Sequence, residues 1–452
     1  MPSRALKNLT RRELIRAGLI VSGGITAASA YDIPSVLEQV VYAAAAENVK
    51  NDETVGLIQL AGGMDGLNTV IPLTDQLETV RPGFGNTVIQ NALNAGTKLN
   101  ADFALHPSLK NLARRFQQGQ VAILMDLSYP MSSKSHFEAT QIWQTADPTH
   151  RQLSGAFGRL APFIDAQGHP LGMSSMGSTT VPGILRGGSS VAVLPSNPAT
   201  YGFKGGVDQA LATLWKSGVP GVYGQALTDL MNVARGTTAQ LKTIVAQYKP
   251  QGAYDQVNNN LVFASKNDLA RNLQVAAALI KGGAAPTIFT TTLGGWDTHE
   301  DEQNRQSSLL TLFDQAVDAF LNDTAAAGKA PTVAIYSEFG RTIRVNSNGG
   351  CDHGAASPMI VVGQRVKGGV FGLKPTLTGN DVPMQMDFRS MYATLIDHLG
   401  VDPKAVVGNF PLVPFMNNNP GPVIPPTAAP AATPTPKPSA TPMPAASASP
   451  KV

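Results

Sequence analysis

The chain has 452 residues, 43% of them hydrophobic, which is ample for a sizeable core and by length alone allows two or three domains. Its formal charge is +3 with only 14% charged residues, and the basic residues are dispersed without a stripe of interleaved aromatics, which argues against a nucleic-acid partner. The single cysteine, Cys351, excludes an intramolecular disulfide, so the fold must rest on its core.

In chain order, the first segment runs Thr10-Arg11-Arg12-Glu13-Leu14-Ile15-Arg16, followed by a weakly apolar, glycine-containing stretch that ends at Ala28-Ser29-Ala30. This resembles a twin-arginine export signal over residues 1–46, and implies delivery of a folded protein by the twin-arginine machinery to a periplasmic or extracellular location. The stretch is too short and too rich in glycine for a stable membrane span. The body, 47–416, alternates strand-like and helix-like runs. Strands are predicted at Val55–Leu60, Val121–Leu127, Val191–Leu194, Thr287–Leu293, Thr332–Ser337 and Pro358–Gly363. Helical spacing covers Pro107–Phe116, Ser135–Trp143, Glu302–Leu321 and Phe388–Leu399, the last with Asp387 as N-cap and Gly400 just past its end. The span 198–282 reads as a largely helical insertion. Strands alternating with helices predict a doubly wound, mostly parallel α/β sheet flanked by helices, with Thr287–Leu293 and Thr332–Ser337 as parallel neighbours. From 417 to 452 the chain is Pro/Ala/Thr/Ser-rich, cannot bury a core, and is expected to be a disordered tail.

Two predicted strands end alike. Leu57–Asn68 reads LIQLAGGMDGLN and Thr291–His299 reads TTLGGWDTH, each a strand, a glycine pair, a bulky apolar residue and an aspartate. Ligands of open α/β sheets lie at the carboxyl ends of strands, so Asp65 and Asp297 are candidate site residues, with His299 beside the second. Other strand ends add Ser135-His136, Glu338 with Arg341, and Asp352-His353. Gathering that many carboxylates without a cation costs several kcal/mol or forces protonation. A divalent metal resolves this, and mixed oxygen and imidazole donors suit zinc or manganese better than calcium. Ser135 begins a helix, where free amides and the dipole assist a nucleophile, or it simply caps that helix. His136 is a candidate base or ligand, His106 a weaker candidate, and Arg341, Lys134 and Arg151 are candidates for gripping an anionic substrate.

Taken in order, LIQLAGGMDGLNTVIPL at Leu57–Leu73, Leu105-His106-Pro107-Ser108-Leu109, SHFEATQ at Ser135–Gln141, GGWDTH at Gly294–His299, SEFGRT at Ser337–Thr342, Asp352-His353-Gly354 and DFRSMY at Asp387–Tyr392 resemble the DUF1501 family of exported bacterial proteins across nearly all of 50–415. That family has no settled activity and is similar to the alkaline phosphatase and sulfatase-like superfamily. The resemblance implies an alkaline-phosphatase-like fold with one or two divalent metals. Asp65 would be the first-strand ligand, Ser135 the nucleophile, and Asp297, His299, Glu338, Asp352 and His353 the remaining ligands. Catalysis would draw on Ser135, His136 and Arg341. The sequence departs from the pattern in the close spacing of Asp297 and His299, in Phe339 after Glu338, and in Met64. The implied activity is a metal-dependent hydrolase of small phosphate or sulfate esters. The alternative is a non-catalytic exported binding or surface-assembly protein that keeps the fold.

Overall fold

The computed structural model describes residues 50, 52–165, 170–187, 191–196, 224–252, 254 and 267–417. The signal region, the tail beyond 417 and parts of the helical insertion lie outside the described residues. Strands are β1 (Val55–Leu60), β2 (Val70–Pro72), β3 (Phe103–Leu105), β4 (Val121–Ser128), β5 (Met173–Met176), β6 (Val191–Leu194), β7 (Ile288–Leu293), β8 (Thr332–Tyr336), β9 (Ser357–Val362), β10 (Gly369–Phe371) and β11 (Met386–Asp387). The helices that matter below are α1 (Lys110–Gln117), α2 (His136–Thr145), α3 (Gly224–Gln247), α4 (Asp268–Lys281), α5 (Glu302–Ala325) and α6 (Phe388–His398).

Nine described strands form one sheet in the order β10-β4-β9-β8-β1-β7-β5-β6, with β11 also paired to β4. Every pairing within this sheet is parallel except those of β9, which runs antiparallel to both β8 and β4. This is the mostly parallel sheet with flanking helices that the alternating pattern predicts. One detail differs: β7 and β8 are not neighbours. β1 lies between them, with Leu60 opposite Leu293 and Gln59 opposite Tyr336. The run VGLIQL of β1 is buried throughout, as befits a central parallel strand covered on both faces.

A core lies on each face of the sheet. On one, α4 and α5 bury Leu273, Ala276, Ile280, Leu312, Phe313 and Phe320 against Phe289 and Val333. Asp314 of α5 accepts the Asn111 and Leu112 amides at 3.0 and 2.8 Å, so it caps the free N–H groups at the start of α1. On the other face, Trp143 of α2 stacks on Tyr336 at 5.4 Å and on Phe388 of α6 at 4.2 Å. That aromatic stack fixes α2, and with it the placement of His136 at the helix start. Asp387 caps α6 by accepting from the Arg389 amide at 3.0 Å, and Gly400 takes the left-handed conformation just beyond, both as the sequence predicts. Among the described residues no helix is long and apolar enough to cross a membrane.

The antiparallel direction of β9 has a consequence for the site. A loop that precedes a parallel strand lies at the opposite edge from the strands' carboxyl ends. Because β9 runs the other way, the loop before it, with Cys351, Asp352 and His353, returns to the edge where β1, β4, β7 and β8 end.

Candidate metal centre

The two glycine pairs meet. Adjacent pairing of β1 and β7 brings Ala61–Gly63 against Gly295–Asp297, with the Trp296 amide donating to the Ala61 carbonyl at 3.2 Å. A Cβ on Gly62 would stand 2.4 Å from the Asp297 nitrogen, and its φ of +127° is open to glycine alone. The glycine lets two backbones touch and so sets the position of Asp297.

Asp297 Oδ1 is the focus of the site. His299 Nε2 lies 3.1 Å away, His353 Nε2 3.2 Å and His136 Nε2 3.4 Å. Donor atoms of His136, Asp297 and His353 all lie within 4.8 Å of one another. His299 joins through Asp297 and through His353, whose Nε2 it faces at 2.9 Å. Donors placed at about 2.0–2.1 Å from a tetrahedral ion stand ~3.3 Å apart, which is close to this spacing.

The far side of each ring shows what the near side offers. His353 Nδ1 lies 2.8 Å from the Lys134 carbonyl, which can only accept, so Nδ1 carries the proton. His136 Nδ1 lies 2.9 Å from Glu338 Oε1, and His299 Nδ1 lies 3.2 Å from Asp352 Oδ1. These partners hold the three Nε2 lone pairs toward Asp297, an arrangement seen around metal-bound histidines. Two such lone pairs face each other at 2.9 Å between His299 and His353, which is repulsive unless a proton or a cation lies between them. The buried His136 Nε2 has no hydrogen-bond partner. The chain's own residues therefore fit a divalent ion.

Electrostatics agree. Partial burial pushes Asp297 up, but Arg341 and His353 outweigh it and hold the carboxyl down at about 2. Asp352 is lowered by its bond from Asn346 and by His299. The Asn346 side chain donates to the His299 carbonyl at 2.9 Å and to Asp352 at 3.2 Å, and its oxygen accepts the Asn348 and Gly350 amides. It thereby ties the His299 loop to the loop that bears Asp352 and His353.

The other expected residues sit differently. Asp65 is not in the histidine cluster. Its side chain caps the turn Gly66–Thr69 through the Leu67 amide and pairs with buried Arg81 at 2.5 Å. Glu338 is buried behind His136, where its Oε1 also accepts the Gly62 amide at 2.8 Å, so it orients a ring instead of facing the centre. Asp352 likewise stands behind His299. Arg341, read as an oxyanion clamp, is fully buried. It donates to the Gly63 carbonyl at 2.6 Å, to the Cys351 and Trp296 carbonyls at 3.0 and 2.8 Å, to the Gly62 carbonyl, and to Asp297 at 2.8 Å. A guanidinium so committed fixes loops and the position of Asp297, and leaves charge on a substrate to other groups. Ser135 is exposed at the N-terminus of α2 and its hydroxyl makes no cap bond. Lys134 is held by Asp381 at 2.7 Å. His106 is buried, and desolvation lowers it to about 4. Its Nδ1 accepts the Ser108 amide, a turn-holding role.

Sequence reasoning missed Arg81, Asn346, Glu302 and the Lys134 carbonyl. None has a motif signal, since each acts through a residue distant in the chain. Glu302 lies buried beside Asp65 and Cys351, and both its oxygens lack hydrogen-bond partners. Burial and the neighbouring Asp65 push it up to about 8.

Residues 225–425 match the family model DUF1501, described as a protein of unknown function. The DUF1501 match takes in Asp297, His299, Glu338, Arg341, Asp352 and His353, whereas Asp65, Ser135 and His136 precede it. No curated protein matches the chain. Among solved structures, the chain is similar to the Streptococcus pyogenes phosphoglycerol transferase GacH in complex with sn-glycerol-1-phosphate. Identity there is 10% over 85% of this chain and 87% of that one, with a TM-score of 0.33. It is also similar to a Vibrio parahaemolyticus protein in the alkaline phosphatase superfamily, at 10% identity over 84% of this chain and 78% of that one, with a TM-score of 0.36.

Proposed function

We propose that the chain is a metal-dependent enzyme that hydrolyses or transfers small phosphate or sulfate esters, with His136, Asp297, His299 and His353 as the metal-binding set. The observation that carries this is the convergence of three imidazole lone pairs on one aspartate oxygen, each ring locked from behind. A bound divalent ion would supply stabilisation of the charge that develops on the ester oxygens. Ser135, at the start of α2 and next in the chain to His136, offers an exposed hydroxyl as nucleophile. Glu338, Asp352 and the Lys134 carbonyl hold the imidazoles in their tautomers. The buried Phe339 ring packs 4.8 Å from the rings of both His136 and His353 and supports them from the inner side. The twin-arginine-like start supports export of the folded, loaded protein.

The commitment of Arg341 to the loops favours a second reading, an exported binding or surface-assembly protein in which the metal is structural. One experiment separates them. The purified full chain is analysed for metal and assayed on aryl phosphates and aryl sulfates, alongside Ser135→Ala. The enzyme reading expects turnover that depends on metal and is lost in Ser135→Ala while metal content is kept. Absence of turnover with zinc, manganese and other divalent ions would leave the binding protein.

A further inference from the structure

Beside the histidine centre the chain holds a second group of metal-type donors. Ligand atoms of Asp65, Glu302 and Cys351 lie within 4.8 Å of one another, all three residues are buried, and both Glu302 oxygens are unpartnered. Donor count alone would make this a second ion site, and the resemblance read from the sequence allows one ion or two.

The surroundings speak against it. Both Asp65 oxygens are taken by the Arg81 guanidinium, Oδ2 at 2.5 Å and Oδ1 at 3.1 Å, and Oδ1 also accepts the Leu67 amide at 3.1 Å. Such a two-pronged pairing uses the carboxylate oxygens that an ion would need. Arg81 is only 1% exposed, and its remaining donors reach the Ile343 and Thr342 carbonyls at 2.8 and 3.0 Å, so it cannot swing away without breaking a buried network. Aspartate and guanidinium already cancel. An added dication would place two positive centres together out of water, a cost that burial magnifies. The polar groups around the histidine centre are likewise committed. Glu338 is held by the Gly62 amide and His136, Phe339 lies against two of the histidines, and Arg341 carries its charge to Asp297.

We propose that the protein takes a single metal ion, and that Arg81 is a built-in cation which occupies the electrostatic place of a second ion at Asp65. This rests on the reading of the histidine centre given above. Arg81 also joins the turn after β1 to the segment after Arg341, so the fixed cation braces the loop on which the centre stands.

The test is metal stoichiometry, which needs no substrate. The full chain is equilibrated with zinc and separately with manganese, then weighed by native mass spectrometry and analysed for bound metal. Anomalous scattering locates the ion. The wild type is expected to hold one equivalent, at the histidines. Asp65→Asn is expected to keep that one equivalent at the histidines, and Asp297→Asn to lose it. Two equivalents in the wild type, one of them at Asp65 or lost in Asp65→Asn, would overturn the proposal. No bound metal in the wild type would overturn the reading of the histidine centre itself. The stoichiometry of the wild type decides the matter even if a variant fails to fold.

Discussion

Replacing Glu338 by glutamine is the sharpest probe of the centre. The substitution keeps side-chain volume at a position whose side chain is 2% exposed, and removes one charge. Glu338 Oε1 serves two donors, the Gly62 amide at 2.8 Å and His136 Nδ1 at 2.9 Å. A carboxylate acceptor binds about twice as strongly as an amide oxygen. A glutamine must also turn its NH₂ away from both donors. Loss of a carboxylate behind a metal-bound histidine lowers metal affinity by roughly 10–100-fold, equivalent to about 1.4–2.7 kcal/mol. Asp352→Asn makes the same chemical change behind His299, but that carboxylate is 64% exposed and 3.2 Å from the ring, so water replaces much of what it provides. Its effect is expected to stay below about 10-fold. Competition for zinc against a chromophoric chelator measures both, and the absorption of the cobalt form reports whether His136 is still bound. Thermal unfolding of the metal-free proteins separates binding from folding. Unchanged zinc affinity in Glu338→Gln, or a larger loss in Asp352→Asn, would refute the assignment of Glu338 as the group that orients His136.

Further outcomes follow from the same geometry. Glu302→Gln should raise stability at high pH. Glu302 is pushed up to about 8 in the fold from 4.5 unfolded, so the native state holds the extra proton between those values. Wild-type stability therefore falls as pH rises through that window, by an amount on the order of a few kcal/mol, and the variant should flatten the urea midpoint against pH. Trp143→Ala removes a ring stacked on Tyr336 and Phe388 and should cost about 3–5 kcal/mol by urea unfolding. Gly62→Ala drives a Cβ into the Asp297 backbone at 2.4 Å, and should weaken zinc binding in the same chelator competition. Gly83→Ala is its control: φ is also positive, at +76°, but nothing lies within 4 Å, so it should cost about 1 kcal/mol in stability and leave zinc affinity unchanged.

Much of the scaffold was legible because its signals are local. Apolar runs fixed β1, β4, β6, β7, β8 and β9 to within a residue or two, and helical spacing with Asp387 and Gly400 fixed α6. The short strands β2, β3, β5, β10 and β11 were missed, since none carries within its bounds an apolar run of the kind that VAVL provides in β6. The neighbour of β7 was misjudged because strand order depends on which faces pack together, and β1 enters between β7 and β8 from far earlier in the chain.

The site divides along the same line. Residue type and strand-end position pointed to Asp297, His299, His353 and His136, and the structure gathers these four. The same reasoning placed Asp65, Glu338, Asp352 and Arg341 at the centre as well. A carboxylate at a strand end looks alike in sequence whether it faces an open centre, a histidine ring or a guanidinium. Only the fold decides which partner arrives: Arg81 reaches Asp65 from just past the short helix Gln76–Val80, and the reversed direction of β9 carries His353 to the edge where β7 ends. The sequence by itself determined the mostly parallel α/β class, the longer strands, the flanking helices and the donor types. Tertiary structure decided which donors are left free to converge, because charge pairing and hydrogen bonding are settled between residues that the chain keeps far apart.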